Sequence, residues 1–499
     1  MKTYLSFILF ALLFSFHSLC GVGVSAIFSD HMVFQRGQIN PVWGKAAPGE
    51  QIVIRIADQE HRTLAGENGR WKIKLKPMPA GGPHVLEIAG DNTLRFTDVL
   101  IGEVWLCSGQ SNMEWPLSKS DAYDLELATA NNSQIRLLKV AKKGSQLPLD
   151  DFQGTWKVCS SNSVKDFSAV GYHFGRRLQD ALGVPIGLIS NSWGASAAEA
   201  WVPRNILDRY ERYSTYLEEY DALVEGHSDA IQKQNEARFK VWNEGGRVGK
   251  RPPAPIDPRY GQKRPANLYN GVLHPIIGFG IRGVIWYQGE SNVGRAADYN
   301  HLFSLLIQTW RDKWGQGDFP FYWAQLADFH GEREEPADSG WARLREAQTA
   351  TLSLSNTGEA VIIDSGEGND IHPRDKRVVA DRLARHALSK VHGFTVSPDS
   401  PCFASMEIAE SVATITFDSV SPQGLYTFDV RTLRGFAIAG EDRKFKWAKA
   451  EIKGPSVVEV SHPDIPNPVA VRYGWADNPV VNLFDRNGLP VTPFRTDQW

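Results

Sequence analysis

The sequence predicts an α/β fold, a mostly parallel sheet with an all-β segment at either end. Three observations carry that expectation. Nearly continuous apolar runs recur at 99–107, 184–189, 281–287, 319–326 and 359–363, as strands do when both faces of a sheet are covered. Helix-period patterns lie between them, and strands alternating with helices build a parallel sheet. Toward both ends the pattern changes to the period-two alternation of half-buried strands.

Taken in order, the chain opens with Lys2 and an apolar run over 4–16, followed by small residues at Ser18, Gly21 and Ser25-Ala26. This is the pattern of a secretory signal peptide, assigned to 1–22, with cleavage between Leu19 and Ala26. It is too short to span a bilayer comfortably. Cys20 raises lipid attachment as an alternative, although Leu19 is a poor neighbour for a lipobox. The expected destination is the periplasm or the exterior. No later stretch has the length and apolarity of a membrane span.

Residues 23–98 read as a β-sandwich-like domain. The segments 51–56 and 71–75 alternate, and Ala47-Pro48-Gly49-Glu50 and Ala80-Gly81-Gly82-Pro83 supply turns. The α/β region is expected over 99–393. Within it Ser168 can cap a helix that places Val170, Phe174, Leu178 and Leu182 on one face. A last helix is expected near 374–391, with Val378, Leu383 and Leu388 apolar. The stretch 205–264 interrupts the rhythm. It is polar and helix-prone to about Trp242, then rich in Pro and Gly; an excursion of that length is a lid, a partner surface or an ornament. Residues 394–499 return to alternating strands, such as 412–417 and 456–460.

Composition narrows the classes. A chain of 499 residues exceeds one core, so two or three domains are expected. A net charge of −3 offers no general attraction to nucleic acid. Past the leader only Cys107, Cys159 and Cys402 remain, which is neither a disulfide framework nor a zinc spacing. Most of the sixteen tryptophans are expected in packing, a minority as platforms for sugar rings.

Every chemical block lies just beyond the carboxyl end of a strand, where open α/β sheets bind ligands. Trp105-Leu106-Cys107-Ser108-Gly109 leads to Gln110-Ser111-Asn112-Met113. Ser192-Trp193-Gly194 and Trp286-Tyr287-Gln288-Gly289-Glu290-Ser291-Asn292 follow later strands, and Asp370-Ile371-His372-Pro373 comes last. An attacking serine needs a base, and the base needs a partner that holds its tautomer. Ser111 is the candidate nucleophile, its bland alternative being a turn serine that caps the next helix. His372 is the candidate base, with His274 as the rival. Asp370 is the candidate acid, because residues two apart on an extended segment point the same way. Glu367 and Asp364 are alternatives, as is a dyad whose histidine is oriented by a carbonyl. The backbone N–H groups of Ser111 and Gly194 form a natural pair of oxyanion donors.

These four blocks, in this order, resemble the motif blocks of the sialate O-acetylesterase family, carbohydrate esterases of the SGNH hydrolase superfamily. Phe28-Ser29-Asp30-His31-Met32-Val33-Phe34-Gln35 and the closing Pro493-Phe494-Arg495-Thr496-Asp497-Gln498-Trp499 resemble that family's ends. The resemblance implies an SGNH (flavodoxin-like) three-layer parallel sheet as catalytic domain, flanked by N- and C-terminal β-sandwich-like domains. It implies a serine esterase that removes O-acetyl groups from carbohydrate and requires neither metal nor organic cofactor.

The resemblance also proposes Gln288 as a third oxyanion donor, where the superfamily has an asparagine. The superfamily commonly places Asp three residues before His; here that position is Asn369, and Asp370 is two before. Glu290 is expected to orient a neighbour rather than face the oxyanion. Gln110, Asn112, Trp193, Tyr287 and Arg345 are further candidates for support or sugar contact, with Glu199, Trp201 and Gln348 near them. The sugar stays open between sialic acid and a hemicellulose such as xylan or xyloglucan. A sialate pocket should offer Arg to the carboxylate, and no motif commits one. A non-catalytic carbohydrate-binding protein is the remaining alternative, and the presence of Ser111, Gly194, Gln288 and His372 together argues against it. Oligomeric state is open.

Overall fold

The computed structural model describes residues 21–252 and 255–499. Most of the expected leader, with Cys20, lies outside the described residues.

The strand Thr93–Gly109 organises the molecule. Its 17 residues serve two regions. The first part pairs antiparallel with Gly81–Ala89. The second runs parallel between Ile186–Ser192 and Gly283–Tyr287. The strand therefore passes unbroken through the boundary expected at 98/99. The central part of the sheet runs in the order Trp156–Cys159, Asn132–Lys139, Ile186–Ser192, Thr93–Gly109, Gly283–Tyr287, Phe321–Ala324 and Thr357–Ala360. Every neighbouring pair is parallel except the first.

The continuous apolar runs have a direct explanation. Val104 and Leu106 belong to one core, shared with Trp286, Phe303 and Trp310. Trp105 and Cys107 point into another, shared with Phe174, Leu178 and Leu383. Successive side chains of one strand feed opposite faces, so a strand covered on both sides has no polar position to alternate with. The helix Ala169–Leu182 buries Val170, Phe174 and Leu178, and Ser168 caps it by accepting the Gly171 N–H at 3.0 Å. Trp201, Trp286 and Trp310 pack edge to face or tilted, with centroids 5.7–6.1 Å apart, the packing role expected of most tryptophans.

The N-terminal strands share the first of these cores. Ile52, Ile54 and Leu86 lie in the same cluster as Trp286. Beyond residue 400 the strands enclose a separate core around Ile415, Phe436, Val458 and Tyr473. The interrupting segment is helical, with helices Ser214–Glu225 and Asp229–Glu244, and the second buries none of its residues. The last helix is shorter than the sequence suggests. Its α-helical part is Lys376–His386, and a wider turn completes it over Ala387–Val391. At the carboxyl terminus Phe494 is buried but Trp499 is 38 % exposed. Two aromatics in the closing segment suggest that both are buried; this holds for Phe494 alone. Trp499 lies against Arg443 and Phe445.

Candidate active site

The chain order leaves Thr93–Gly109 first toward Ile186–Ser192 and later toward Gly283–Tyr287. The connections diverge there, and a crevice opens at the carboxyl ends of these three strands. Gly109, Ser192 and Tyr287 lie in register at that edge. Gly109 has φ +135°, and a Cβ there would stand 2.1 Å from the Tyr287 carbonyl oxygen. Only glycine lets the chain turn this close to its neighbour. The Gln110 N–H then donates to the same carbonyl at 2.9 Å, and the short helix Ser111–Glu114 begins.

Gln110, not Ser111, occupies the cap position of that helix. The Ser111 hydroxyl is instead 2.9 Å from His372 Nε2. The imidazole lies over the Trp115 ring, with centroids 4.8 Å apart and planes 15° apart. Its Nδ1 is 3.4 Å from Asp370 Oδ1, a long contact to a carboxylate that is 56 % exposed. The same oxygen accepts the His372 backbone N–H at 2.9 Å. The rival acids are engaged elsewhere. Glu367 accepts from the Arg374 backbone N–H and guanidinium at 2.8 and 3.0 Å, and Asp364 takes a two-pronged contact from Arg382. Burial holds the His372 pKa below the usual imidazole value; the nearby Lys376 charge adds to this and Asp370 opposes it. His274 is engaged elsewhere, its Nδ1–H donating to the Leu149 carbonyl oxygen at 2.8 Å.

The expected oxyanion donors fare differently. Gly194 stands beside Ser111, a Cβ on it lying 3.4 Å from Ser111 Cβ. Its N–H donates to Glu114 Oε2 at 2.7 Å. Glu114 is in turn ion-paired with Lys142. Gln288 is fully buried and its amide is committed: Nε2 donates to the Ser196 carbonyl at 3.1 Å and to Asn292 Oδ1 at 2.8 Å, while Oε1 accepts from Tyr299 Oη at 2.8 Å. Both hydrogens of the amide therefore already have partners. The reason is the supply of buried partners around it, which a sequence does not display.

The remaining candidates form the support of the site. Gln110 Oε1 accepts the Gly289 and Ser291 N–H groups at 3.4 and 3.3 Å. Asn112 donates to Glu290 Oε1 at 2.6 Å and to the Ile371 carbonyl at 3.0 Å. Glu290 thus orients a neighbour, and burial raises its carboxyl pKa. Trp193 is part-buried, with its N–H on the Gly109 carbonyl at 3.0 Å. Tyr287 is buried, and its hydroxyl has no hydrogen-bond partner among the described residues. Arg345 is fully buried and, among the described residues, donates to carbonyls alone, those of Leu326, Ala327, Ala476 and Asp477 at 2.7–3.0 Å. It fastens the sheet edge to the C-terminal region and offers no free guanidinium for a sugar. Gln348 holds the Gln288 carbonyl at 3.1 Å. Asn292, Glu199 and Arg295 complete a buried chain of contacts, each 3.0 Å.

Sequence reasoning missed Glu114, Trp115 and Lys376. Glu114 and Trp115 follow the serine block directly, and that adjacency was their only signal. Lys376 lies four residues after His372, at the start of the following helix, and carries no motif signal.

A family model described as carbohydrate esterase, sialic acid-specific acetylesterase, matches residues 263–380. That stretch includes Gln288, Glu290, Asp370 and His372 but not Ser111 or Gly194. Mouse sialate O-acetylesterase is 30% identical over 92% of this chain and 90% of its own length. The chain belongs to the sialate O-acetylesterase family. The human sialate O-acetylesterase is 29% identical over 95% of this chain and 92% of its own. A crystal structure of a carbohydrate acetylesterase from Xanthomonas citri superposes with a TM-score of 0.82 at 36% identity, covering 96% of this chain and all of that one. The family likeness thus extends across both β-rich ends as well as the site-bearing sheet.

Proposed function

We infer that this protein is a carbohydrate O-acetylesterase in which Ser111 is the nucleophile and His372 the base. The observation that carries the reading is the 2.9 Å approach of Ser111 Oγ to His372 Nε2, two groups 261 residues apart in the chain. Family membership supports it. The strand order Ile186–Ser192, Thr93–Gly109, Gly283–Tyr287, Phe321–Ala324, Thr357–Ala360 is 2-1-3-4-5 in chain sequence, the order of flavodoxin-like doubly wound sheets, and supports SGNH-type layering.

In the proposed reaction His372 Nε2 takes the Ser111 proton as Oγ attacks the acetyl carbonyl. Asp370 holds the protonated ring. The backbone N–H groups of Ser111 and Gly194 receive the developing oxyanion, and Glu114 must turn from Gly194 toward Lys142 to let it in. His372 returns the proton to the sugar oxygen that leaves. Water, deprotonated by the same ring, then releases acetate from Ser111. We assign Gln288 to holding the Ser196 segment and Asn292 in place behind Gly194. O-acetylated sialic acid is the first substrate to test, because the relatives carry that name.

Hydrolysis of p-nitrophenyl acetate by the wild type and its absence in Ser111→Ala test the chemistry. Acetate release from O-acetyl sialates against acetylated xylan and xyloglucan then decides the sugar. Export directed by residues 1–22 belongs to the same reading, and amino-terminal sequencing of the mature protein checks it.

A further inference from the structure

Lys376 is the first residue of the helix Lys376–His386, and its side chain is buried. Both facts run against ordinary preference. A cation at a helix N-terminus opposes the helix dipole, and a buried ammonium needs partners to offset its desolvation. Its partners all belong to the catalytic region. Nζ donates to Asn112 Oδ1 at 2.5 Å. It lies 5.7 and 5.5 Å from the ring centroids of Trp115 and Tyr287, within cation–π range. The other end of the Asn112 amide holds Glu290 Oε1 and the Ile371 carbonyl. Asn112 is the neighbour of Ser111, Ile371 is the neighbour of His372, and Trp115 is the ring on which His372 lies.

We propose that Lys376 is a positioning residue of the esterase reaction, locking the Ser111 turn, the Glu290 turn and the His372 loop into one unit through Asn112 and Trp115. The inference rests on the esterase reading above. Two consequences separate it from simple packing. The first is geometric, since loss of the Nζ contact frees Asn112 and with it the distance between Ser111 Oγ and His372 Nε2. The second is electrostatic. The charged groups facing Lys376 are Glu290 on the strand-end turn, Glu367 and Asp370 on the His372 loop, and Asp375 on its own element. Burial outweighs them and lowers the ammonium pKa to about 7. Below that pH its charge opposes protonation of His372, which keeps the base free to accept a proton.

The test compares wild type with Lys376→Met, which removes donor and charge, and Lys376→Gln, which keeps a donor for Asn112. Two readouts are taken from about pH 5 to pH 9: kcat and KM on p-nitrophenyl acetate, and the rate of Ser111 labelling by a fluorophosphonate. In Lys376→Met kcat should fall about ten- to a hundredfold, the effect of a ~1 Å misplacement, with KM within roughly twofold. The acid limb of both profiles should move up by ~0.5 pH unit or more, because a like charge near the imidazole has gone. Lys376→Gln should recover part of kcat but leave the limb displaced. An unchanged kcat and limb in Lys376→Met overturn the proposal. So does a fall in kcat that tracks a lower melting temperature while the limb stays put, since that is packing alone. If Lys376→Met does not fold, the limb in Lys376→Gln decides. If wild-type protein neither hydrolyses the ester nor takes the label, it is the esterase reading that fails.

Discussion

Ser111 and His372 already touch, so removing either should stop the reaction without disturbing the sheet behind them. Ser111→Ala and His372→Ala are expected to lose several orders of magnitude in kcat, while His274→Ala keeps most activity; ester turnover by folded variants checks all three. Asp370 is a different case. Its 3.4 Å contact and exposed position leave it screened by water. Asp370→Asn should therefore cost nearer ~10-fold in kcat than the ~10⁴-fold seen for a buried acid. A loss above ~10³-fold would show that the contact tightens when substrate binds. The pH profile follows from His372. The base works only when neutral, and its pKa is held below the usual 6.5. The rate in kcat/KM should rise with pH through an inflection below that value and level off above the inflection; an inflection above 6.5 would contradict the role of burial.

At the scale of elements, two joints hold the Ser111 turn. One is the close pass at Gly109. Gly109→Ala would press a methyl group on the Tyr287 carbonyl, so it should cost well over the ~1–2 kcal/mol of an ordinary left-handed residue and lower activity as the turn shifts. Gly183, with φ +64° and nothing within 4 Å of a Cβ, is the control, and Gly183→Ala should cost only about 1–2 kcal/mol. The other joint is Ser168. Its Oγ caps Ala169–Leu182 and donates to the Met113 carbonyl at 2.6 Å. Ser168→Ala should lose about 1–2 kcal/mol of stability, measured by denaturant titration.

For the whole molecule, the working division into 23–98, 99–393 and 394–499 meets a strand and a core that cross its first boundary. A fragment of residues 99–393 would cut Thr93–Gly109 and strip Ile52, Ile54 and Leu86 from the core they share with Trp286. It would also leave two N–H groups of the buried Arg345 without the Ala476 and Asp477 carbonyls, a costly loss for a buried charge. The fragment should be insoluble or melt well below the full chain. A soluble fragment with full activity and an undiminished melting temperature would show the regions to be independent.

The strands, the capped helix at 169–182 and the placement of each chemical block beyond a strand end were legible in the sequence, because apolar periodicity and turn residues act over a few neighbouring positions. Ser111 and His372, which the structure brings within 2.9 Å, were legible as candidates for the same reason, each lying in a recognisable local pattern. The roles of the polar side chains around them were not. Which of Asp364, Glu367 and Asp370 faces His372 depends on where Arg374 and Arg382 lie. Whether Gln288 serves the hole depends on Ser196, Asn292 and Tyr299. That Glu114 meets Gly194, and that Lys376 is buried under Asn112, are contacts across 80 and 264 residues. A hydrogen bond is decided by distances of a few tenths of an ångström, and at such separations only the folded chain sets them.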